Sequence, residues 1–239
     1  MWDKPQALLL IANGLYALAG LLVVYGVLYV VMHLPVFPLH EIRIGGELRH
    51  VTREQVEAVV KQELRGNFFT IDLEASRRAF EKLPWVRGAS VRRHWPDRLE
   101  VVLEEHVPLA RWGSAGLVNV YGEVFEAAYD GTLPMFYGPA GSAAEMTAQY
   151  EAFRRELRLA GREPSVVALS ARHAWRVRLD DGLTLELGRD NVAQRLGRFV
   201  AAYAQTVGRM GHVDYADLRY GNGFAVRQVA NAAGGEPRG

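Results

Sequence analysis

The stretch VRRHWPDR, residues 91–98, concentrates side chains that could bind an anion. Three arginines, a histidine and a tryptophan within eight residues could contact phosphate or nucleic acid. The segment Trp-Pro-Asp inside it is typical of a tight turn, because proline fixes φ and aspartate bonds nearby backbone. Glu100, Glu104 and Glu105 follow at once. This composition favours a β-hairpin with cross-strand charge pairs, and we expect the Trp95 indole to pack beneath it beside the arginine stems.

A second cluster, Glu104-Glu105-His106, could supply an acid and a base. Consecutive strand residues point to opposite faces, so the two carboxylates would not share a site, and we interpret the cluster as a solvated strand end. The seven histidines form no pair four residues apart, and metalloprotease, serine-hydrolase and phosphate-loop motifs are absent. Cysteine is also absent. We therefore predict a non-enzymatic protein with no metal, no cofactor and no small-molecule substrate.

The charge balance argues against nucleic acid as a partner. The chain has 28 Lys and Arg residues against 27 Asp and Glu residues, so its formal net charge is +1. No overall electrostatic field would then attract a polyanion.

The first 40 residues predict a membrane anchor, because residues 7–39 contain no Asp, Glu, Lys or Arg. About 20 apolar residues suffice to span a bilayer as a helix. A cleaved signal peptide is the alternative, but its apolar region would be only about 7–15 residues long. We predict a cytoplasmic tail at 1–6 and a transmembrane helix at 7–34. Lys4 and the terminal amine favour a cytoplasmic N-terminus.

The next 70 residues predict a small domain with the order β-α-α-β-β. Ile42 and Ile44 alternate in a first strand, and Thr52 with Gln55 forms a capping box for a helix. Asp72 can cap a second helix, and two strands joined by the turn HWPD follow.

The remainder predicts a second α+β domain. Ser142-x-x-Glu145 begins a helix, and the runs SVVALSA, AWRVRLD and LTLELG read as strands, the last two joined by an Asp-Gly hairpin turn. Asn191 can cap a final helix before two terminal strands, HVDYADLRY and FAVRQV. The last residues, 230–239, predict a disordered tail.

Several of these segments resemble the FtsQ/DivIB family of bacterial cell-division proteins. The matching stretches are LPWVRGASVRRHWPDRLEVVLEEHVPLARWG, NVYGEVFE, LPMFYGPAGSAAE, LELGR and YADLRYGNGFAV. The resemblance implies an α+β fold: a transmembrane helix, a POTRA domain at 37–107, and a periplasmic β domain at 108–229 with a mostly antiparallel sheet. The element order read from the residues agrees with it.

The resemblance also implies a function without catalysis. Family members span the inner membrane once, with a periplasmic C-terminal region, and act at the division septum. They bind FtsB and FtsL, contact other divisome proteins such as FtsK, FtsW and FtsI, and help regulate septal peptidoglycan synthesis.

In the family, FtsB adds a strand along the region that matches DLRYGNGFAV, and this implies partner-binding roles for residues of that segment. An edge strand offers unpaired backbone groups to such a guest. The residues concerned are Arg219, Tyr220, Asn222, Gly223 and Val226. Tyr220 as a core residue and Arg219 as a solvated strand residue are the alternatives. This chain has RQVA where some members carry an aromatic residue.

Arg172 resembles a family arginine and could pair with an acidic partner residue, although the adjacent His173 is an alternative match. Two other functions compete with a division scaffold. A chaperoning domain of an outer-membrane barrel system conflicts with the uncleaved anchor, and an anchored hydrolase lacks an assembled catalytic constellation.

Overall fold

A computed structural model describes residues 5–33, 41–64, 66–114, 116–203, 213–221 and 223–228 of the 239-residue chain. They fall into two compact units, Met1–Glu105 and His106–Gly239. The predicted 1–4 part of the N-terminal tail and the 230–239 tail lie outside the described residues, while Pro5 and Gln6 already belong to a helix.

Helix α1 runs from Pro5 to His33. Its section Leu9–Met32 has a mean hydropathy of 2.3, and none of it is buried inside the protein. By length and composition it is the one helix among the described residues that could cross a membrane. Among the described residues its side chains are exposed on all sides, which is the surface expected of a candidate membrane span.

The rest of the first unit has the predicted order β-α-α-β-β. The elements are β1 (Glu41–Gly45), α2 (Arg53–Glu63), α3 (Leu73–Glu81), β2 (Val86–His94) and β3 (Arg98–Glu105). The strand order is β1-β3-β2, with β1 parallel and β2 antiparallel to β3.

Local signals determine where the two helices begin. Thr52 and Gln55 form the predicted capping box of α2, and the Asp72 carboxylate accepts the backbone N–H groups of Glu74 and Ala75 to cap α3. Phe80 of α3 is fully buried against the sheet.

Two predictions for this unit are wrong. The Trp95 indole does not pack beneath the hairpin: 83% of its surface is exposed at the tip. Glu105 is not a solvated strand end, because only 7% of its side chain is exposed and its carboxylate accepts the N–H groups of three residues, Arg49, His50 and Val51. Glu104, on the opposite face, pairs with Arg87.

The second unit is built on a nine-stranded sheet with order β12-β11-β10-β9-β8-β7-β4-β5-β6. Its strands are β4 (Pro108–Trp112), β5 (Gly116–Asn119), β6 (Val124–Phe125), β7 (Met135–Tyr137), β8 (Pro164–Leu169), β9 (Trp175–Leu179), β10 (Thr184–Gly188), β11 (Val213–Asp217) and β12 (Ala225–Gln228). Five of the strand pairs are antiparallel and three are parallel. The sheet is therefore mixed and mostly antiparallel, as expected.

Two helices connect parallel neighbours in this sheet. Helix α4 (Ala143–Leu157), extended by a 3₁₀ turn at Arg158–Ala160, joins β7 to β8, and α5 (Val192–Tyr203) joins β10 to β11. The apolar faces of both helices enter one buried cluster with the inward side chains of the sheet. Strands β4 and β7 were not predicted. Strand β4, PLARW, has no regular alternation of apolar and polar residues, and β7 has three residues within a Pro/Gly-rich stretch.

Candidate partner-binding site

Strand β12 forms one edge of the nine-stranded sheet. It pairs antiparallel with β11 on one side, and within the described part of the chain no strand pairs with its other side. Its outer N–H and C=O groups are thus in position to bond a guest strand. The predicted site lies along this edge and the loop that leads into it.

The inward side chains of the edge fix the register of β12. Phe224 and Val226 are half-buried and pack against the core of the second unit, whereas Ala225 and Arg227 are exposed. Val226 lies opposite Ala216, which is fully buried. Val226 therefore contributes mainly to attaching β12, with only part of its surface available for apolar contact.

Arg219 and Asp217 form a bidentate ion pair at the end of β11. The Arg219 Nε donates to Asp217 Oδ1 at 2.9 Å and its Nη2 donates to Oδ2 at 2.7 Å. The Arg219 backbone N–H also donates to Oδ1, at 3.0 Å. Only 11% of the Asp217 side chain is exposed, against 56% of Arg219. The buried carboxylate therefore orients a guanidinium that still faces solvent.

The same contact determines the ionisation of Asp217. The hydrogen bond from Arg219 lowers the pKa of the Asp217 carboxyl below its usual value, against the smaller opposing effect of burial. Of the five N–H groups of a guanidinium, two are used on Asp217. Among the described residues the other N–H groups of Arg219 form no hydrogen bond, so they remain for a carboxylate or carbonyl oxygen of a partner.

Gly188, at the end of β10, makes room for this arginine. Its φ is +72°, and a Cβ placed there would meet Arg219 Cγ at 3.2 Å and Arg195 Nη1 at 2.8 Å. Both the left-handed backbone and the space require glycine. The LELG segment therefore supports the site from the neighbouring strand.

The Tyr220 side chain is 58% exposed, which excludes the alternative that it is a core residue. Arg198 of α5 fixes the backbone at this position, because its guanidinium donates hydrogen bonds to the carbonyl oxygens of Tyr220 and Gly221. The loop is thus attached to the helix while the phenol ring faces solvent. Exposed tyrosines on a supported backbone are common anchors in protein interfaces.

A shallow groove of about 410 Å³ adjoins this loop. Its lining combines two arginines with apolar and glycine residues: Arg195, Arg198, Leu218, Gly221, Gly223 and Phe224. Gly223 is exposed, and a Cβ built on it would meet no atom within 4 Å, so the fold itself does not require glycine there. Asn222 lies outside the described residues.

Arg172 lies in the turn between β8 and β9, away from the β12 edge. Its side chain is exposed, whereas the adjacent His173 has a φ of +56° and lies with Nδ1 3.6 Å from Glu145 Oε1. This turn is at the same end of the sheet as Arg219, because Trp175 pairs with Gly188. The structure therefore brings Arg219, Tyr220, Gly223 and Val226 together and leaves Arg172 two strands further along.

Asp217, Gly188 and Arg198 support the site and were not predicted. Asp217 and Arg219 are two residues apart at a strand end, a spacing that puts both side chains on one face, so this pair had a readable signal. Gly188 and Arg198 are distant from Arg219 and Tyr220 in the sequence, and only the tertiary fold brings them to the site. No spacing in the sequence indicated their roles. Within the described ranges, no group of three or more His, Cys, Asp or Glu side chains could hold a metal ion.

The β-α-α-β-β unit, preceded by an apolar helix long enough to cross a membrane, defines the class of protein: one that carries a POTRA domain after a candidate membrane span. A family model described as "POTRA domain, FtsQ-type" matches residues 37–106, and one described as "Cell division protein FtsQ/DivIB, C-terminal" matches residues 110–219. The chain belongs to the FtsQ/DivIB family of cell-division proteins, as the resemblance indicated.

Curated relatives agree with this assignment over nearly the whole chain. A protein named "Cell division protein FtsQ" from Nitrosospira multiformis is 51% identical over 95% of this chain and 99% of its own length. Proteins of the same name are 46% identical in Burkholderia pseudomallei, over 95% and 94% of the two chains, and 33% identical in Neisseria gonorrhoeae, over 96% of each.

Proposed function

We propose that this protein is a non-enzymatic scaffold of the divisome that binds FtsB and FtsL and helps regulate septal peptidoglycan synthesis. In this proposal it spans the inner membrane once, with its N-terminus in the cytoplasm, and its two exported domains at 37–107 and 108–229 act at the septum. FtsK, FtsW and FtsI would be further divisome contacts.

The observation that carries the proposal is the open edge of β12 beside a pre-oriented arginine. A strand of FtsB would extend the sheet at this edge, and main-chain hydrogen bonds would supply much of its affinity. Arg219 would donate hydrogen bonds to an acidic side chain of the guest, and Tyr220 would pack on the guest's apolar residues. Asn222, Gly223 and Val226 would line the path of the guest.

Arg172 would add a second charged contact. Its turn lies at the Arg219 end of the sheet, about 10–15 Å away if counted by the strand spacing. A partner that extends past the edge strand could reach both arginines. Arg172 would then pair with an acidic residue outside the guest strand.

The direct test is capture of a purified FtsB–FtsL periplasmic complex by the full-length protein in lipid nanodiscs. We expect saturable binding, measured by biolayer interferometry, with loss of signal when the soluble complex is added as competitor. An empty nanodisc is the control. Absence of binding by a folded, monodisperse protein would refute the proposed partner.

The proposed orientation has a separate test in living cells. Alkaline phosphatase is active only after export, so its fusion after Gly239 should be active, whereas a fusion of the same enzyme before Met1 should not. A fluorescent protein that folds only in the cytoplasm should give the opposite pattern. The reverse outcome for either reporter would overturn the orientation and leave the binding proposal to its own assay.

A further inference from the structure

The tip of the β2–β3 hairpin lies at the end of the first unit that α1 enters. The register of the sheet gives the first indication, because Glu41 at the start of β1 pairs with Arg98 at the start of β3. Residues 34–40 join α1 to that position, and an extended chain of this length spans at most about 28 Å. The chain that leaves the membrane helix therefore joins the sheet at its hairpin end.

Two hydrogen bonds connect the same region to the end of α1. The Asn67 side-chain amide donates to the Met32 carbonyl at 2.7 Å, near the end of the apolar section of the helix. Arg93, two residues before the hairpin tip, donates through Nη2 to the Ile71 carbonyl at 2.6 Å. A single turn joins Asn67 to Ile71, whose N–H donates to the Asn67 carbonyl. The hairpin tip is thus linked to the membrane end of α1 through one short loop.

This end of the unit carries two exposed aromatic rings. Trp95 is 83% exposed at the tip, and Phe69, in the loop that Arg93 contacts, is 39% exposed. An indole has an apolar body and a polar N–H, and tryptophan is enriched at the membrane–water interface for this reason.

Arginines flank these rings, one on each face of the hairpin, because Arg92 and Arg93 are consecutive residues of β2. Arg92 is exposed and forms no ion pair among the described residues, and Arg93 bonds only backbone carbonyls there. Three carboxylates at this end already have partners: Glu41 contacts both Arg43 and Arg98, Glu100 contacts His94, and Asp97, in the tip itself, also takes part in an interaction. At this end of the first unit, the positive charges of Arg92 and Arg93 are therefore the ones available to bind an external anion.

We propose that Phe69, Arg92, Arg93 and Trp95, here named the tip surface, dock on anionic phospholipid headgroups of the membrane that α1 crosses. Trp95 and Phe69 would lie at the level of the glycerol and headgroup layer, with the two guanidiniums on lipid phosphates. The bilayer is the occupant that fits, because α1 holds the tip surface near the membrane at all times and the exposed chemistry combines aromatic rings with cations.

The test uses the full-length protein in nanodiscs whose lipids carry bromine on the acyl chains near the headgroup. Bromine quenches nearby tryptophan fluorescence, and the chain has five tryptophans. In discs that contain phosphatidylglycerol, we expect the quenched fraction to fall about twofold in Trp95→Phe. Trp175→Phe removes a buried tryptophan of the second unit and serves as the matched control, with no such fall.

The charge contribution is tested in the same discs. Arg92→Glu should reduce the quenching of Trp95, and so should replacement of phosphatidylglycerol by phosphatidylcholine or addition of about 0.5 M salt, which screens exposed charges. Only protein and lipid are present, so a tip surface that binds another protein would remain unquenched. An unchanged quenched fraction in Trp95→Phe overturns the membrane contact, and equal quenching in both lipids overturns the role of anionic headgroups.

Discussion

Arg219→Glu should weaken capture of the FtsB–FtsL complex by about 30- to 1,000-fold, the range for truncating or reversing a buried, hydrogen-bonded charge at an interface. The substitution replaces the proposed anion contact with a carboxylate and leaves Asp217 without its partner. Tyr220→Ala should lower the affinity for the complex by about tenfold or more, because it removes the exposed ring. The loop backbone should keep its position, since Arg198 bonds the carbonyl oxygens of residues 220 and 221. Titration of the complex against nanodisc-bound variants measures both effects.

A matched control exists on α4, where Arg155 is also exposed. Arg155→Glu changes the net charge equally, so it should leave the affinity within about twofold if the effect is local. Should Arg155→Glu weaken binding as much as Arg219→Glu does, the loss would reflect overall charge, and the proposed site would be wrong.

Asp217→Asn separates the position of Arg219 from its charge. The change keeps Arg219 and removes the carboxylate that holds it at 2.7 and 2.9 Å. We expect an intermediate loss of affinity, expressed mainly as faster dissociation, because the guanidinium must then be ordered on binding. Affinity equal to that of the wild type would mean that the Asp217 contact plays no part in orienting the arginine for a partner.

The second large effect is on stability: Glu105→Ala should lower the free energy of unfolding of the first unit by about 2–4 kcal/mol. The Glu105 carboxylate accepts the N–H groups of Arg49, His50 and Val51 at 2.7 to 3.2 Å. Its removal would leave three backbone donors without this acceptor at the start of α2. Hydrogen exchange of the full-length protein should show faster exchange of the segment 49–51.

Glu104→Ala is the matched control for this prediction. Glu104 is the preceding residue of β3, faces the other side and forms one partly exposed ion pair with Arg87. Its loss should cost no more than about 1 kcal/mol. Equal destabilisation by both changes would show that the backbone contacts of Glu105 contribute little.

The same carboxylate predicts a pH dependence. Burial alone would raise the pKa of Glu105, but the backbone donors at Val51, Arg49 and His50 together hold it below its usual value. A lowered pKa contributes stability above the pKa of the unfolded chain, about 4.3, and this contribution disappears as the pH falls through the folded pKa. The stability difference between wild type and Glu105→Gln should therefore be constant near neutral pH and shrink below about pH 4.

Features encoded by neighbouring residues could be predicted from the sequence. The capping residues Thr52 and Asp72 bond groups two or three positions away, and the Asp181-Gly182 turn joins adjacent strands. The order of the elements in the first unit, and of most elements in the second, followed from such signals, and the family resemblance agreed with it. Short strands with weak alternation, β4 and β7, had no comparable signal.

Features that depend on contacts between distant residues could not be predicted from the sequence. Glu105 bonds residues more than 50 positions earlier, which no pattern in β3 reveals. Trp95 was expected to be covered because large apolar rings usually are, and only the fold shows that the hairpin tip extends beyond the core. For the partner site, the sequence indicated the residues, whereas the Asp217 contact and the space at Gly188 required the structure.

The alternation of side chains along β12 determines which side chains of a guest strand would contact each face of the sheet. Phe224 and Val226 hold the strand in a single alignment, so the guest would inherit that alignment from its main-chain bonds. Neighbouring residues of the guest would then face opposite sides of the sheet. Only every second residue of the guest could meet the side that displays Arg219. Insertion of one residue into the guest would therefore turn the following side chains to the wrong side, even though every original side chain is retained.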